Sequence, residues 1–177
     1  MLLSAALGDA PGSRALLSVG SGGEPLPDWE ARGYTVVRLD IEPATNPDIV
    51  ASMTDMGPIG PFDAVLCSHS LEHLYPHEVP IALSEFHRVL KPGGCVVVLV
   101  PDLEGVSATD DLLPDGNGLS GLHLYYGAAG LLAEFPYMAH HCGFVADTLG
   151  RVMTEVGFTT QTSRLSQYNL MGFGVKT

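Results

Sequence analysis

Gly20, Gly22 and Gly23 follow the apolar run Ala15 to Val19, and Asp40 ends a second apolar run, Tyr34 to Leu39. A chain that bends sharply as it leaves a buried strand needs glycine there, because a Cβ would keep the backbone from approaching a ligand. A carboxylate at the tip of the next strand lies beside that turn and can accept hydrogen bonds from both hydroxyls of a ribose. Strand, glycine turn and distal acid predict an adenosine-type ligand, held by Gly20, Ser21, Gly22 and Asp40. The glycine spacing selects the kind. Counted from Gly20, the last glycine of a Gly-x-Gly-x-x-Gly dinucleotide fingerprint is replaced by Pro25, which spoils the helix start that would carry a pyrophosphate. No Lys or Arg lies between Gly20 and Asp28, while Glu24 and Asp28 add negative charge that repels phosphates and tolerates a cation. A sulfonium nucleoside fits better than a diphosphate.

The elements around this turn alternate as an α/β protein should. Pro25 and Pro27 fit only the first turn of a short helix, over Asp28 to Arg32, which Gly33 stops. Asp48 to Ala51 is a weak strand, and Gly57 to Pro61 leaves little room for a helix after it. Phe62 to Cys67 reads as the next strand. From about Pro76 to Leu90, Val79, Ala82, Leu83, Phe86, Val89 and Leu90 recur at helical spacing, so one face packs on a sheet. Lys91-Pro92-Gly93-Gly94 stops that helix, and Cys95 to Val100 is a continuous β-branched run suited to a central parallel strand. Residues 103–142 lack periodicity, and a connection this long in a compact domain is functional or mobile. Leaving the carboxyl end of a parallel strand, it is expected to cover the substrate. Phe144 to Val156 reads as a helix, and Phe158 to Leu165 with Asn169 to Val175 as a closing antiparallel pair.

Two blocks carry a resemblance. Ser18-Val19-Gly20-Ser21-Gly22-Gly23-Glu24 is similar to the Asp-x-Gly-x-Gly-x-Gly turn of the class I S-adenosylmethionine-dependent methyltransferases of the small-molecule type (type 11-like), with Ser18 in place of the acid and Glu24 in place of the last glycine. Phe-Asp, Leu-Glu-His, Arg-Val-Leu-Lys-Pro-Gly-Gly and the apolar run to Pro101 follow in the family's order from Phe62, which is the most specific part. The resemblance spans about residues 15–177. It implies a Rossmann-like three-layer α/β sandwich with a mostly parallel sheet and an antiparallel C-terminal strand, in one domain over residues 1–177 with 103–142 as a substrate-cover insertion. It also implies S-adenosylmethionine as cofactor, with Ile41 beside the ribose ligand Asp40. Asp55 and Met56 would border the adenine, and Ser68 and His69 would face the methyl side.

Methyl transfer from a sulfonium needs little beyond holding donor and nucleophile together, and a base where the acceptor must lose a proton. His69 is the first candidate for that base and His141 the second, since a neutral imidazole takes a proton near pH 7. Tyr125, Tyr126, His140 and His141 are candidates for an acceptor pocket, with ordinary packing as the simpler reading. His69, His73 and His77 share i, i+4 spacing, but Pro76 interrupts the helix that would align them and no acid or cysteine completes the set, so no metal site is expected.

Composition narrows the partners. A formal net charge of -12, from 8 Lys and Arg against 20 Asp and Glu with no basic cluster, argues against a nucleic-acid substrate. A small or medium-sized molecule is the expected acceptor. Cys67, Cys95 and Cys142 are odd in number and read as reduced core residues of a cytoplasmic protein. The first residues lack a positive n-region, and no apolar run reaches membrane-spanning length. Residues 1–14 leave almost no N-terminal lid, which makes a homodimer plausible. Ser18, Glu24 and that missing lid also keep open a catalytically degenerate fold serving as a binding or scaffolding subunit. A nicotinamide-dependent oxidoreductase is disfavoured by Pro25 and by the lack of a Tyr-x-x-x-Lys pair.

Overall fold

A computed structural model describes residues 14–116 and 118–177. Seven strands form one sheet: β1 (Arg14–Val19), β2 (Tyr34–Asp40), β3 (Ile49–Val50), β4 (Phe62–Ser68), β5 (Leu90–Pro101), β6 (Phe158–Ser166) and β7 (Asn169–Lys176). Their order across the sheet is β3-β2-β1-β4-β5-β7-β6. The pairs among β1 to β5 are parallel, and β7 runs against both β5 and β6. The expected mostly parallel Rossmann-like sheet with its antiparallel C-terminal strand is therefore present. Because β1 leads outward to β2 while β4 leads the other way to β5, the order reverses between β1 and β4, and open α/β sheets bind ligands outside the carboxyl ends at such a point.

The helices are α1 (Pro27–Glu30), α2 (Val79–Val89), α3 (Gly121–Tyr126), α4 (Ala129–Leu132) and α5 (Ala146–Glu155). Helical periodicity works out as burial: Val79, Ala82, Leu83, Phe86 and Val89 of α2 and Leu149 and Met153 of α5 are all buried against one sheet face. There they meet Leu17, Val65, Val96, Val98 and Leu170. Gly172 makes that approach close, since a Cβ on it would stand 2.6 Å from Met153 Sδ and 3.0 Å from Leu149 Cδ2. The opposite face holds Leu16, Ala64, Leu66, Val97 and Met171, and Leu26 and Trp29 from the α1 region pack against it.

Two boundaries differ by about three residues or more from the sequence reading. α2 starts at Val79 rather than near Pro76, because Pro80 fits only a first turn and residues 76–78 form a separate turn. β5 begins at Leu90, which pairs with Phe62 before the register slips to Ala64 opposite Cys95, so Lys91 to Gly94 form an irregularity inside the strand. Asp63 secures this end of the sheet: its carboxylate accepts from Ala15 N–H (2.8 Å) and from Lys91 Nζ (2.8 Å). The expected short N-terminal lid falls on residues 1–13, outside the described residues. No helix among the described residues is long and apolar enough to cross a membrane.

Candidate active site

β1 ends at Val19 and the chain turns through Gly20 and Gly22 at φ 63° and 55°, left-handed angles that glycine adopts without the penalty other residues meet. A Cβ on Gly20 would lie 2.3 Å from Ser70 Oγ, whereas one on Gly22 would meet nothing within 4 Å. Gly20 thus serves a close crossing of two chain segments, and Gly22 presents bare backbone to open space. Asp40, 7% exposed, holds the turn from the neighbouring strand tip: Oδ2 accepts from Gly22 N–H and Oδ1 from Glu42 N–H, each at 2.9 Å. Each carboxylate oxygen keeps a lone pair for a further donor. These groups line a cleft of about 270 Å³ whose walls are largely apolar, among them Val19, Ile41, Ala51, Met53, Leu74 and Met138. Tyr137 O–H donates to Glu42 Oε2 (3.3 Å) across its rim.

Beyond the tip of β4 the backbone takes another left-handed step at His69 (φ 49°), whose N–H donates to Leu99 O at 2.8 Å. Such a conformation in a non-glycine residue is held only where surrounding structure fixes it. It turns Ser70 inward, so that its hydroxyl can donate to Gly20 O (3.1 Å) or Ser68 O (3.0 Å) and ties the two loops together. A second cleft of about 300 Å³ lies alongside, lined by Glu72, His123, Leu124, His140 and Asn169 among others. The two clefts share His69, His73 and Met138. Glu72 is 2% exposed and stands 3.5 Å from His69 Nδ1 through Oε1. That carboxylate raises the His69 imidazole above its ordinary pKa, against the opposing pull of burial. Burial lowers that of His140, reinforced by His73 and His69 and opposed by the Leu124 carbonyl and Glu72.

A sequence profile described as "Methyltransferase domain" matches residues 17–98, which run from β1 through most of β5 and contain the glycine turn, Asp40 and the Leu-Glu-His turn. Over residues 17–98, somewhat less than half of its length, the chain is similar to a methyltransferase domain. Among solved structures it is similar to a 1,6-didemethyltoxoflavin-N1-methyltransferase from Burkholderia thailandensis, with bound 1,6-didemethyltoxoflavin and S-adenosylhomocysteine. The identity is 16% and the TM-score 0.67 over 93% of this chain and 72% of that one. Similar too are a methyltransferase from Mesorhizobium loti (16%, TM-score 0.70, 99% and 96% covered) and one from Archaeoglobus fulgidus (16%, 0.66, 93% and 87%). At these identities the structural likeness speaks for the fold. No curated protein sequence matches it.

The structure brings Gly20, Gly22, Asp40, Ile41 and His69 to the first cleft. Ser21 lies in the same turn, and its hydroxyl is sealed from water without a hydrogen-bond partner, an orphan that a ligand group can satisfy. Four of the expected residues line neither cleft. Asp55 is exposed and Met56 buried in the core, and neither lines the cleft, because the chain reverses at Ser52–Asp55 (Asp55 N–H to Ser52 O, 3.1 Å) and leaves Ser52 and Met53 on the cleft side. Ser68 is still paired with Leu99 in the sheet, and Ser70 lines the first cleft. His141 is exposed and stacks on Tyr75 (ring centroids 4.3 Å apart), while His140 faces the second cleft. In extended chain neighbouring side chains point to opposite sides, so only one of the pair can enter. Of the two tyrosines, Tyr125 is spent on Val106 O (3.0 Å) and Tyr126 is exposed. Met53, Ser70 and His140 owe their places to backbone reversals or to contacts distant in sequence, and only a turn signal at Thr54-Asp55 hints at the first. Burial favours the protonated thiols, pushing Cys95 to about 11 and Cys142 to about 12, and Cys67 higher still.

Proposed function

We propose that the chain binds S-adenosylmethionine in the first cleft and methylates a small acceptor held in the second. The meeting of the two clefts at His69, His73 and Met138 carries this reading, because donor and acceptor must approach in line across a shared wall. When bound, the cofactor supplies an activated methyl group on a sulfonium. Asp40 accepts from the ribose hydroxyls, Gly22 lets the backbone lie against the nucleoside, and Ser21 Oγ takes a polar group of its amino-acid end. Ile41 and Met53 cover the adenine faces. His69 lies at the junction and accepts a proton where the acceptor has one to lose, with Glu72 stabilising the imidazolium that forms.

The segment 103–142 acts as the cover, supplying Tyr137 and Met138 to one cleft and His123, Leu124 and His140 to the other. A cleft of about 300 Å³ suits a small molecule, and the net charge of -12 disfavours a nucleic-acid acceptor. The three cysteines are free, which fits a reducing cytoplasm.

Calorimetric titration with S-adenosylhomocysteine tests the reading. We expect one site with micromolar affinity. Absence of binding at millimolar ligand would overturn it and leave a scaffold that has only the fold of a methyltransferase.

A further inference from the structure

Glu72 is the most deeply buried charged residue facing the second cleft, and one of its two oxygens has no use in the protein. Oε1 faces His69, whereas Oε2 is sealed from water with no hydrogen-bond partner. An unpartnered carboxylate oxygen so placed is costly, and in native structures it points to a missing proton, water or ion. Near this carboxylate stand two imidazoles in a specific arrangement. His73 Nδ1 lies 3.2 Å from Ala139 O and His140 Nδ1 lies 2.9 Å from Leu124 O, both main-chain carbonyls. A carbonyl only accepts, so each Nδ1 carries the hydrogen and each Nε2 is left with a bare lone pair. Metal-binding histidines are oriented by this pattern, the far nitrogen donating to a carbonyl while the near one ligates.

One ligating atom from each of Glu72, His73 and His140 falls within 4.8 Å of the other two. An ion at the centre of a triangle with sides of that length is about 2.8 Å from each corner, so shifts below ~1 Å bring all three to the 2.0–2.2 Å of a bound zinc. The sequence places Glu72 and His73 side by side but His140 far away, and the chain closes that distance by backbone: His141 N–H (2.9 Å) and Cys142 N–H (3.3 Å) both donate to Glu72 O. The cover is thereby fastened to the Leu-Glu-His turn where the three donors converge.

We propose that Glu72, His73 and His140 bind a divalent first-row transition ion, with its open coordination positions facing the second cleft. Two imidazoles and one carboxylate suit zinc or ferrous iron better than magnesium or calcium, which prefer oxygen. Resting on the methyltransferase reading, the ion defines an acceptor class: a molecule with an ionisable hydroxyl. In an open position that oxygen becomes more acidic, as zinc-bound water does. Its O–H bond breaks and the proton passes to His69 at the junction of the clefts. The oxygen lone pair then forms the O–CH3 bond while the S–CH3 bond breaks and its electron pair returns to sulfur.

Cobalt(II) titrated into the chelator-treated full chain tests this without nucleoside or acceptor. One equivalent is expected to bind with the visible d–d absorption of a nitrogen- and oxygen-ligated ion. His140→Ala and Glu72→Gln are each expected to weaken uptake about 100-fold or more, beyond the 10–100-fold cost of losing an outer-shell partner. His77→Ala, an exposed ring on Tyr75 outside the cluster, is expected to bind as the parent does. No uptake by the parent, or equal uptake by both variants with unchanged circular dichroism, overturns the site. Should either variant fail to fold, cobalt-edge anomalous scattering from the parent decides: a peak between residues 72, 73 and 140 supports the proposal and a peak elsewhere overturns it. S-adenosylhomocysteine binding to the metal-free chain judges the cofactor reading separately, so the failure of one is distinguishable from the failure of the other.

Discussion

The two clefts share a wall but are built differently. The first is assembled from strand tips at the sheet's switch point, and its key contact, Gly22 N–H to Asp40, joins residues 18 apart in sequence. The second takes one side from the β4 tip and the other from the cover, joined by links such as His73 to Ala139, 66 residues apart. A cleft made by the sheet inherits its geometry from hydrogen-bonded register, whereas one made by the cover depends on a few clasps onto Glu72. Damage on the sheet side should therefore remove nucleoside binding and stability together, and damage on the cover side should be separable from both.

The largest expected effect is at Gly20. A valine there takes on a left-handed angle costing about 1–2 kcal/mol and drives its side chain into Ser70, for a further ~1–3 kcal/mol. Loss of measurable S-adenosylhomocysteine binding and a Tm lower by about 10 °C are expected, read by calorimetry and thermal melting. A stable Gly20→Val protein that still binds would break the contrast, because the crossing of β1 and β4 loops would then not define the cleft.

Asp40→Ala comes next. Each hydrogen bond to a charged group contributes about 1.5–3 kcal/mol, so nucleoside affinity should fall roughly 10- to 100-fold. Cobalt uptake at the second cleft should stay within twofold. A matching loss of both would show that the two sites behave as one.

How far this division was legible in the sequence follows from the same physics. The glycine turn, Asp40 and the helical face of α2 could be read because strand alternation, glycine placement and 3.6-residue periodicity are local, and the sheet order then followed from the resemblance. That Met53 rather than Met56, and Ser70 rather than Ser68, line the first cleft is not legible, because each depends on a reversal of a few residues, at Ser52–Asp55 and at His69, that side-chain identity does not announce. His140 was named only beside His141 because the choice between them lies in the cover's docking. Glu72 reads in the sequence only as part of the Leu-Glu-His block for the same reason: its orphaned oxygen and its nearness to His140 belong to the folded chain.

Asp63 offers a smaller effect on the sheet side. Burial would raise its carboxyl pKa, but Lys91, the Ala15 N–H and Arg14 outweigh it and hold the value below that of a free aspartate. A depressed folded pKa gives stability that is present above the unfolded value of about 4 and is lost as the pH falls through the folded one. Asp63→Asn should thus lower stability at pH 7 by about 1–2 kcal/mol, within the range for charged hydrogen bonds discounted for its partial exposure. Chemical denaturation from pH 7 down to about pH 2 should show the gap closing, and a gap that stays constant with pH would contradict the ionic origin.

The smallest expected effect discriminates most finely on the cover side. His141 adjoins the proposed ligand His140 and has the same side chain, yet it lies outside both clefts on the exposed face of Tyr75. Its main-chain N–H holds Glu72 O whatever the side chain is. His141→Ala should therefore cost no more than the stacking, about 0.5 kcal/mol at an exposed site, and leave nucleoside and cobalt affinities within twofold. A large loss of cobalt binding in His141→Ala, with His140→Ala silent, would mean that the cover docks one residue out of register. Extended chain alternates its side chains, so such a slip would exchange the buried and exposed rings while leaving the sheet-built cleft unchanged.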